Sequence, residues 1–391
     1  MSTRTALGDA LDALIDYRGK TPKKLGGDWS PSGHRVISAL NIKNNRVDDN
    51  DHHYVSDDIY AKWMKEPLRQ GDVLLTSEAP LGEVAYLDRE VDWCLGQRLF
   101  GLRGKAGVLD GRYLSYLLRG GSVRNEILSR STGSTVAGIR QAELVKVLLD
   151  LPDIAVQEGV AATLGALDDK IESNGQAQVT GENLIRSLVT AALERSTGEV
   201  GVLGDYCNLV KEPARTGVLT ADLSYIAFEH MPRGSIFLDD WGNAEWLGSD
   251  KSYFQTGDIL FGKLRPYFKK VGIAPVDGVC STDILVLRPI READRALVAI
   301  VASSDPLIDS LSAAATGTRM PRASWKDLSN WPVSEMTTTE RDSLRDQVGL
   351  LVERLMELTH ETKQLQLLRD ALLPEFLSGR IRVPEAEGSL A

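Results

Sequence analysis

The chain repeats itself, and that constrains its fold more than any other feature. Leu7-Gly8-Asp9 returns as Leu203-Gly204-Asp205, and Gly71-Asp72-Val73-Leu74 as Gly257-Asp258-Ile259-Leu260. Thr132-Gly133-Ser134 returns as Thr316-Gly317-Thr318, and Leu144 matches Leu328. A fixed spacing then carries on through Val160 and Leu344, Leu164 and Val348, Leu167 and Leu351, Ile171 and Leu355, Leu184 and Leu368, and Leu188 and Leu372. A three-residue match alone says little. Several in one order, with an offset that stays at 184 residues from Thr132 onward, point to a duplicated unit.

Each copy has two parts. The first, 7–152 and 203–335, is irregular. Short apolar runs such as Asp72-Val73-Leu74-Leu75-Thr76 and Ile284-Leu285-Val286-Leu287 alternate with Gly, Pro, Asn and Asp, which predicts short strands and loops. Helices are expected from Tyr113 to Leu128 and from Arg291 to Ser303. The second part is helical. Val160, Leu164, Leu167, Ile171, Ile185, Leu188 and Ala192 follow the alternating four-three spacing of a coiled-coil seam. Asn174, Gln178 and Gly181 make the middle of that seam polar. Leu344, Val348, Leu351, Leu355, Leu358, Thr362, Leu365 and Leu372 repeat the spacing in the second copy. Thr337 and Glu340 predict a capping box at its start, and Pro374 predicts its end. Helices of about 36–40 residues would be roughly 55–60 Å long, more than one globular core covers. The expected class is therefore α+β: two pseudo-repeated mixed α/β domains, 1–152 and 198–335, separated by two long helices, 153–197 and 336–391 with its tail. The helices form an antiparallel coiled coil. The alternative is that each packs only on its own domain. Gly159, Gly165, Gly175 and Gly181 weaken the first helix and suit a close approach or a bend.

The 391 residues are 42% hydrophobic and 26% charged, an ordinary globular balance that argues against disorder or a disulfide scaffold. No apolar run reaches the ~18 residues of a membrane span, and Met1 to Asp12 lacks a signal-peptide apolar region. Cys94, Cys207 and Cys280 form no metal-binding pair and fit a reducing cytoplasm. There is no phosphate loop, dinucleotide fingerprint, HExxH, GxSxG or Asn-Pro-Pro-aromatic tetrapeptide, and neither a catalytic residue nor a metal site is assigned. His52-His53 lies among Asp48, Asp49, Asp51, Asp57 and Asp58 and reads as a solvated acidic loop. Pro152-Asp153 with Asp168-Asp169-Lys170 mimics a metal nuclease, but Asp168 and Lys170 fall inside the seam helix.

The net charge of -10 counts against bulk coating of nucleic acid, yet leaves room for a local basic face. Arg18, Lys20, Lys23 and Lys24 lie in one stretch. Lys263, Arg265, Lys269 and Lys270 surround Pro266-Tyr267-Phe268. Arg140 follows Thr132 and Ser134, as Arg319 and Arg322 follow Thr316 and Thr318. Lysines and arginines neutralise phosphates, hydroxyls fix register, and arginine reads guanine bidentately. Any one cluster alone also fits a solvated surface. Their recurrence at similar places in two diverged copies is what two readers of two DNA sequences require.

These residues resemble the specificity (S) subunits of type I restriction–modification systems. The resemblance runs along essentially the whole chain. It is carried by Leu7-Gly8-Asp9 leading into Asp16-Tyr17-Arg18-Gly19-Lys20-Thr21-Pro22, by Leu164-Gly165-Ala166-Leu167-Asp168-Asp169-Lys170-Ile171-Glu172, and by Leu372-Leu373-Pro374-Glu375-Phe376-Leu377-Ser378-Gly379. The family's Asn-rich step is only partly kept, as Asn174-Gly175-Gln176. The resemblance implies two target-recognition domains, each reading half of a bipartite site in double-stranded DNA, with the helices as a ruler between them. It implies two methyltransferase subunits on those helices, which bring S-adenosylmethionine and methylate adenine, and a motor-nuclease subunit that can join them. This chain would be non-catalytic, bind no cofactor itself, and act in the cytoplasm in defence against phage. Two rival readings are a free-standing enzyme with a new active site and a coiled-coil scaffold that touches no DNA.

Overall fold

The computed structural model describes residues 2–48, 52–133, 135–196, 199–215, 217, 220–245, 248–314 and 322–382. Two compact units emerge, Met1–Asp168 with Leu368–Ala391, and Asp169–Leu367.

The first unit is built on a four-stranded antiparallel sheet in the order Leu11–Ile15, Leu99–Gly104, Val73–Thr76, Val84–Tyr86. The second has the same sheet in the same order, as Cys207–Val210, Ile284–Pro289, Ile259–Gly262, Val271–Ile273. A smaller sheet repeats too. His34–Ile37 pairs antiparallel with His53–Val55 and parallel with Cys94–Leu95. Its counterpart Ser224–Ile226 pairs antiparallel with Gly242–Asn243 and parallel with Gly278–Ser281. The second unit adds Lys251–Phe254 and Pro213–Ala214 to this sheet. The duplication read from short motifs is thus a duplication of topology.

The repeated Gly-Asp pair has a structural cause. Gly71 and Gly257 take φ of 91° and 88°, which a side chain would resist. The next residue closes the turn: Asp72 accepts from the Arg69 amide at 2.9 Å, and Asp258 from the Gln255 amide at 2.8 Å. Each carboxylate also takes a two-pronged bond from the central strand, Arg103 onto Asp72 and Arg288 onto Asp258, all four contacts at 2.8 Å.

The long helices run Ile154–Arg195 and Thr338–Leu377. Every seam residue expected on the first, from Val160 to Ala192, is buried or half-buried. In the second unit the helices pair antiparallel. Asn174 Nδ2 donates to Glu361 at 2.9 Å and to Thr362 at 3.3 Å, and Gln178 Nε2 donates to Thr359 Oγ1 at 3.2 Å. A side chain on Gly181 would meet Leu355 at 2.9 Å, so that glycine sets the approach. In the first unit Asp168 pairs with Arg369 at 2.9 Å in the same sense. The coiled-coil expectation holds and its alternative does not: the helices pair with each other, and both of them also contribute residues to each unit's core. Gln157, Val160 and Leu164 are buried in the first unit, and Phe376 packs with Phe100 and Tyr116 there. Ile185, Val189, Leu344 and Val348 join Tyr206 and Phe261 in the second.

Two expected boundaries move. Pro374 lies inside its helix, which continues to Leu377. Leu372, Leu373, Phe376 and Leu377 pack against the first unit's core and hold the last turn. The helix expected from Tyr113 to Leu128 is two helices, Gly111–Arg119 and Gly121–Ser129. They break at Gly120, where a side chain would strike Leu377 at 2.6 Å.

No single described helix is long and apolar enough to cross a membrane. The bent pair Glu292–Ala302 and Asp305–Ala313 passes on length and composition, but Ala296 to Ala302 are all buried in the second unit's core. The three cysteines are free and buried, and burial pushes each thiol up to about 12.

Asp168 is a polar node of the first unit. Tyr116 donates its hydroxyl at 2.7 Å, Arg369 donates at 2.9 Å, and Arg119 pairs at 3.5 Å. Burial pushes the carboxyl up, but the Tyr116 and Arg369 hydrogen bonds and the Arg119 charge more than offset this and hold it below its ordinary value. A carboxylate whose folded pKa is depressed contributes stability that is fully present above its unfolded pKa. That contribution is lost as pH falls through the folded value. Asp168→Asn should therefore lower the unfolding midpoint at pH 6, and the gap to wild type should shrink below about pH 4. A gap unchanged down to pH 2 would show that the charge on Asp168 contributes nothing.

Candidate nucleic-acid interface

The basic stretch of the first unit follows the strand Leu11–Ile15. Its residues divide into anchored and free. Arg18 pairs with Asp16 through two bonds at 2.8 Å and lies 3.9 Å over the Phe100 ring. The Lys20 ammonium donates to the Trp63 carbonyl and sits 4.1 Å over Tyr17. Burial, then the nearby Lys65, lowers its pKa. Both side chains are thus bound up in holding the turn to the unit. Lys24 donates to the Gly19 carbonyl at 2.8 Å. Lys23 is exposed on the short helical turn Lys23–Leu25, with no side-chain partner among the described residues.

Thr132 and Gly138 exchange backbone hydrogen bonds at 2.8 and 3.0 Å, closing a loop. Ser134 falls in that loop but outside the described residues. Arg140 is exposed beyond it. Arg18 reaches the Ile139 carbonyl at 3.5 Å, so the two basic segments adjoin.

In the second unit the basic residues gather on one hairpin loop, between the strands Ile259–Gly262 and Val271–Ile273. Lys263 donates to the Thr282 carbonyl. Lys269 pairs with Asp305, and Lys270 donates to the Phe228 and Met231 carbonyls, the latter at 3.0 Å. Burial and then Arg233 lower the Lys270 pKa. These three lysines tie the loop down. Arg265 is exposed, with φ of 51°. At the tip Tyr267 is half exposed and meets Phe268 edge-on at 4.7 Å. Arg233 stacks 4.1 Å over Phe268, and Arg265 lies 5.9 Å from the same ring. Arg322 joins the loop through a β-bridge to Leu264 and pairs with Asp283 at 2.6 Å. Thr316, Thr318 and Arg319 lie outside the described residues.

Among the described residues, the first unit thus brings Arg18 beside the segment that leads to Arg140, and the second gathers Lys263, Arg265, Lys269, Lys270 and Arg322. Two further arginines carry the same chemistry: Arg233, and Arg98, which pairs with Glu78 at 3.1 Å. Neither lies in a motif shared by the two copies. Only the repeat of topology singles out Arg98. The remaining polar clusters have ordinary partners. His34 stacks on Tyr60 at 3.9 Å between Asp57 and Asp92, and His53 packs on Trp29. Among the described residues, no group of three or more His, Cys, Asp or Glu side chains is placed to hold a metal. The nuclease-like pattern is a helix position, with Asp168 turned to Tyr116 and Arg369.

The fold and its loops define a duplicated α+β protein with basic and aromatic loop clusters on two copies of one scaffold. Comparison with known proteins agrees. A family model described as the type I restriction modification DNA specificity domain matches residues 6–180. The EcoDI type I restriction enzyme specificity subunit of Escherichia coli is 36% identical over 85 residues, covering 22% of this chain and 19% of that relative. The MjaIX specificity subunit of Methanocaldococcus jannaschii is 23% identical over 346 residues, covering 81% of this chain and 79% of that one. The crystal structure of a type I restriction–modification S subunit from M. genitalium has the same fold, with a TM-score of 0.65, 14% identity and 96% of each chain covered. Residues 6–180 thus match the type I restriction modification DNA specificity domain, and the chain as a whole is similar in sequence and fold to type I specificity subunits.

Proposed function

We infer that this chain is the non-catalytic, cytoplasmic DNA-reading subunit of a type I methyltransferase complex. Each unit reads one half of a bipartite site in double-stranded DNA, and the long helices carry two adenine-N6 methyltransferase subunits. Those subunits supply S-adenosylmethionine, and a motor-nuclease subunit can join the complex. The observation that carries the reading is the second unit's hairpin, where Arg265 and Tyr267, with Arg233 stacked on Phe268 from a neighbouring segment, present cationic and aromatic surface on a loop that three lysines tie down. Such a surface suits a phosphate backbone and base edges, and pinned lysines reduce the ordering cost on binding.

The helix surfaces support two copies of one partner. Leu184 and Leu368 hold equivalent positions in the two copies, and both are about half exposed, at 51% and 48%. Their repeat neighbours Val160, Leu344, Leu164 and Val348 are buried. An apolar side chain left outside at the same place in both copies suits two copies of the same docking surface.

Expression with the host's methyltransferase in a methylation-free bacterium tests this. Single-molecule sequencing should find one bipartite adenine-methylated motif that disappears when this chain is omitted. Methylation of the same motif without the chain, or none with it, would overturn the reading.

A further inference from the structure

We propose that Arg98 and Arg322 are the guanine-reading side chains of the two units, each held in orientation by a carboxylate. The proposal rests on the DNA-reading function above and assigns particular residues to it.

The position is the same in both units and is defined by backbone alone. In the first, the Ser77 amide donates to the Arg98 carbonyl at 2.8 Å, the Ile139 amide donates to the Ser77 carbonyl at 2.9 Å, and Glu78 bridges to Gly138. In the second, the Lys263 amide donates to the Asp283 carbonyl at 2.9 Å, the Ala323 amide donates to the Lys263 carbonyl at 2.9 Å, and Leu264 bridges to Arg322. Ser77 thus corresponds to Lys263, Arg98 to Asp283, and Gly138 to Arg322. Three loops meet at this junction: the hairpin, the turn after the parallel strand, and the closing segment. The hairpin residues next to it correspond as well. Ala79 and Arg265 both precede a proline with positive φ, 53° and 51°.

One arginine–carboxylate pair sits on each junction, but from different corners. In the first unit the turn supplies the arginine and the hairpin the carboxylate, Arg98 with Glu78 at 3.1 Å. In the second the turn supplies the carboxylate and the closing segment the arginine, Asp283 with Arg322 at 2.6 Å. The residues have exchanged while the pair has stayed. Packing does not account for this, because the arginine side chains are 51% and 60% exposed, and exposed ion pairs stabilise a fold little. Arg98 even takes a left-handed backbone, φ 63°, which a non-glycine residue resists. Orientation accounts for it. A guanidinium has five donors in a rigid fork. A carboxylate on one side fixes the plane, and the outward edge then matches O6 and N7 of guanine. Because the arginine projects from a different corner in each unit, the two would meet different base positions.

The test uses the complete methyltransferase complex on a library with randomised half-sites, read by methylation mapping. Lysine keeps the charge but not the fork. Arg98→Lys should relax one G·C position in one half-site by about ten-fold or more, leaving the other half-site unchanged. Arg322→Lys should do the same in the other half-site only. Glu78→Gln and Asp283→Asn should relax the same two positions partially. An unchanged motif in both lysine variants would overturn the proposal. So would a uniform loss over all sequences after Arg98→Ala and Arg322→Ala, which marks phosphate contacts. If the wild-type complex methylates without sequence preference, the DNA-reading function fails and the proposal falls with it.

Discussion

Alanine at Arg103 should lower the stability of the first unit by about 3–5 kcal/mol, and alanine at Arg288 should cost the second unit clearly less. Both arginines cross from the central strand to the Gly-Asp turn with the same two-pronged geometry. Removing the cation leaves a buried carboxylate without its counter-charge, and that desolvated charge sets the cost. The Asp72 side chain is 1% exposed and Arg103 12%, whereas Asp258 is 3% exposed and Arg288 32%. Arg103 also holds the Pro67 carbonyl at 2.9 Å and pairs with Glu66. Water reaches the second pair more readily, so it screens more of that interaction and softens its loss. Hydrogen exchange is the suitable readout, because it separates the units. Arg103→Ala should deprotect Val73–Thr76 and spare Ile259–Gly262, and Arg288→Ala should do the reverse more weakly. Replacing Asp72 and Arg103 together by apolar residues should recover much of the loss. Equal small effects, below about 1 kcal/mol, would mean that the pairs behave as ordinary surface contacts.

A matched insertion of four residues in both long helices, after Gly175 and after His360, should lengthen the gap between DNA half-sites by about two base pairs. Four residues add about 6 Å of helix, and B-DNA rises about 3.4 Å per base pair. The contacts on one side of the insertion are Asn174 with Thr362 and Asp168 with Arg369. On the other side are Gln178 with Thr359 and Gly181 against Leu355. A paired insertion keeps both sets in register and rotates the stripe by only about 40°. The same insertion in the central helix alone should be far more damaging. It would displace Asn174 from Thr362 or Gln178 from Thr359, and bring apolar seam residues opposite polar ones. Methylation mapping should give unchanged half-sites with a longer spacer for the paired variant, and strongly reduced methylation for the single one. An unchanged spacer in a folded, active paired variant would remove the ruler role. So would altered half-site bases.

The amino-acid sequence by itself determined the duplication, the α+β class and the helix seam. These are local signals. A four-three stripe such as Val160, Leu164, Leu167 and Ile171 reports one face of one helix, and a Gly-Asp pair reports one turn. The polar middle of the seam was legible for the same reason, down to Asn174, Gln178 and Gly181. Tertiary structure decided what depends on partners far along the chain. Pro374 continues a helix because Phe376 and Leu377 are packed on the first unit's core. Gly120, at the break between two helices, carries no side chain because Leu377 occupies the space one would need. Lys20 reads as a free phosphate contact until Trp63, distant in sequence, takes its ammonium. Arg98 carries no motif at all. Its significance comes from Ser77, Glu78 and Gly138 meeting it at a junction whose counterpart bears the opposite charge, Asp283. Spacing along a chain records which side chains share a helix face or a turn. Which loops converge is set by sheet order and crossover, and those are fixed only when the core closes.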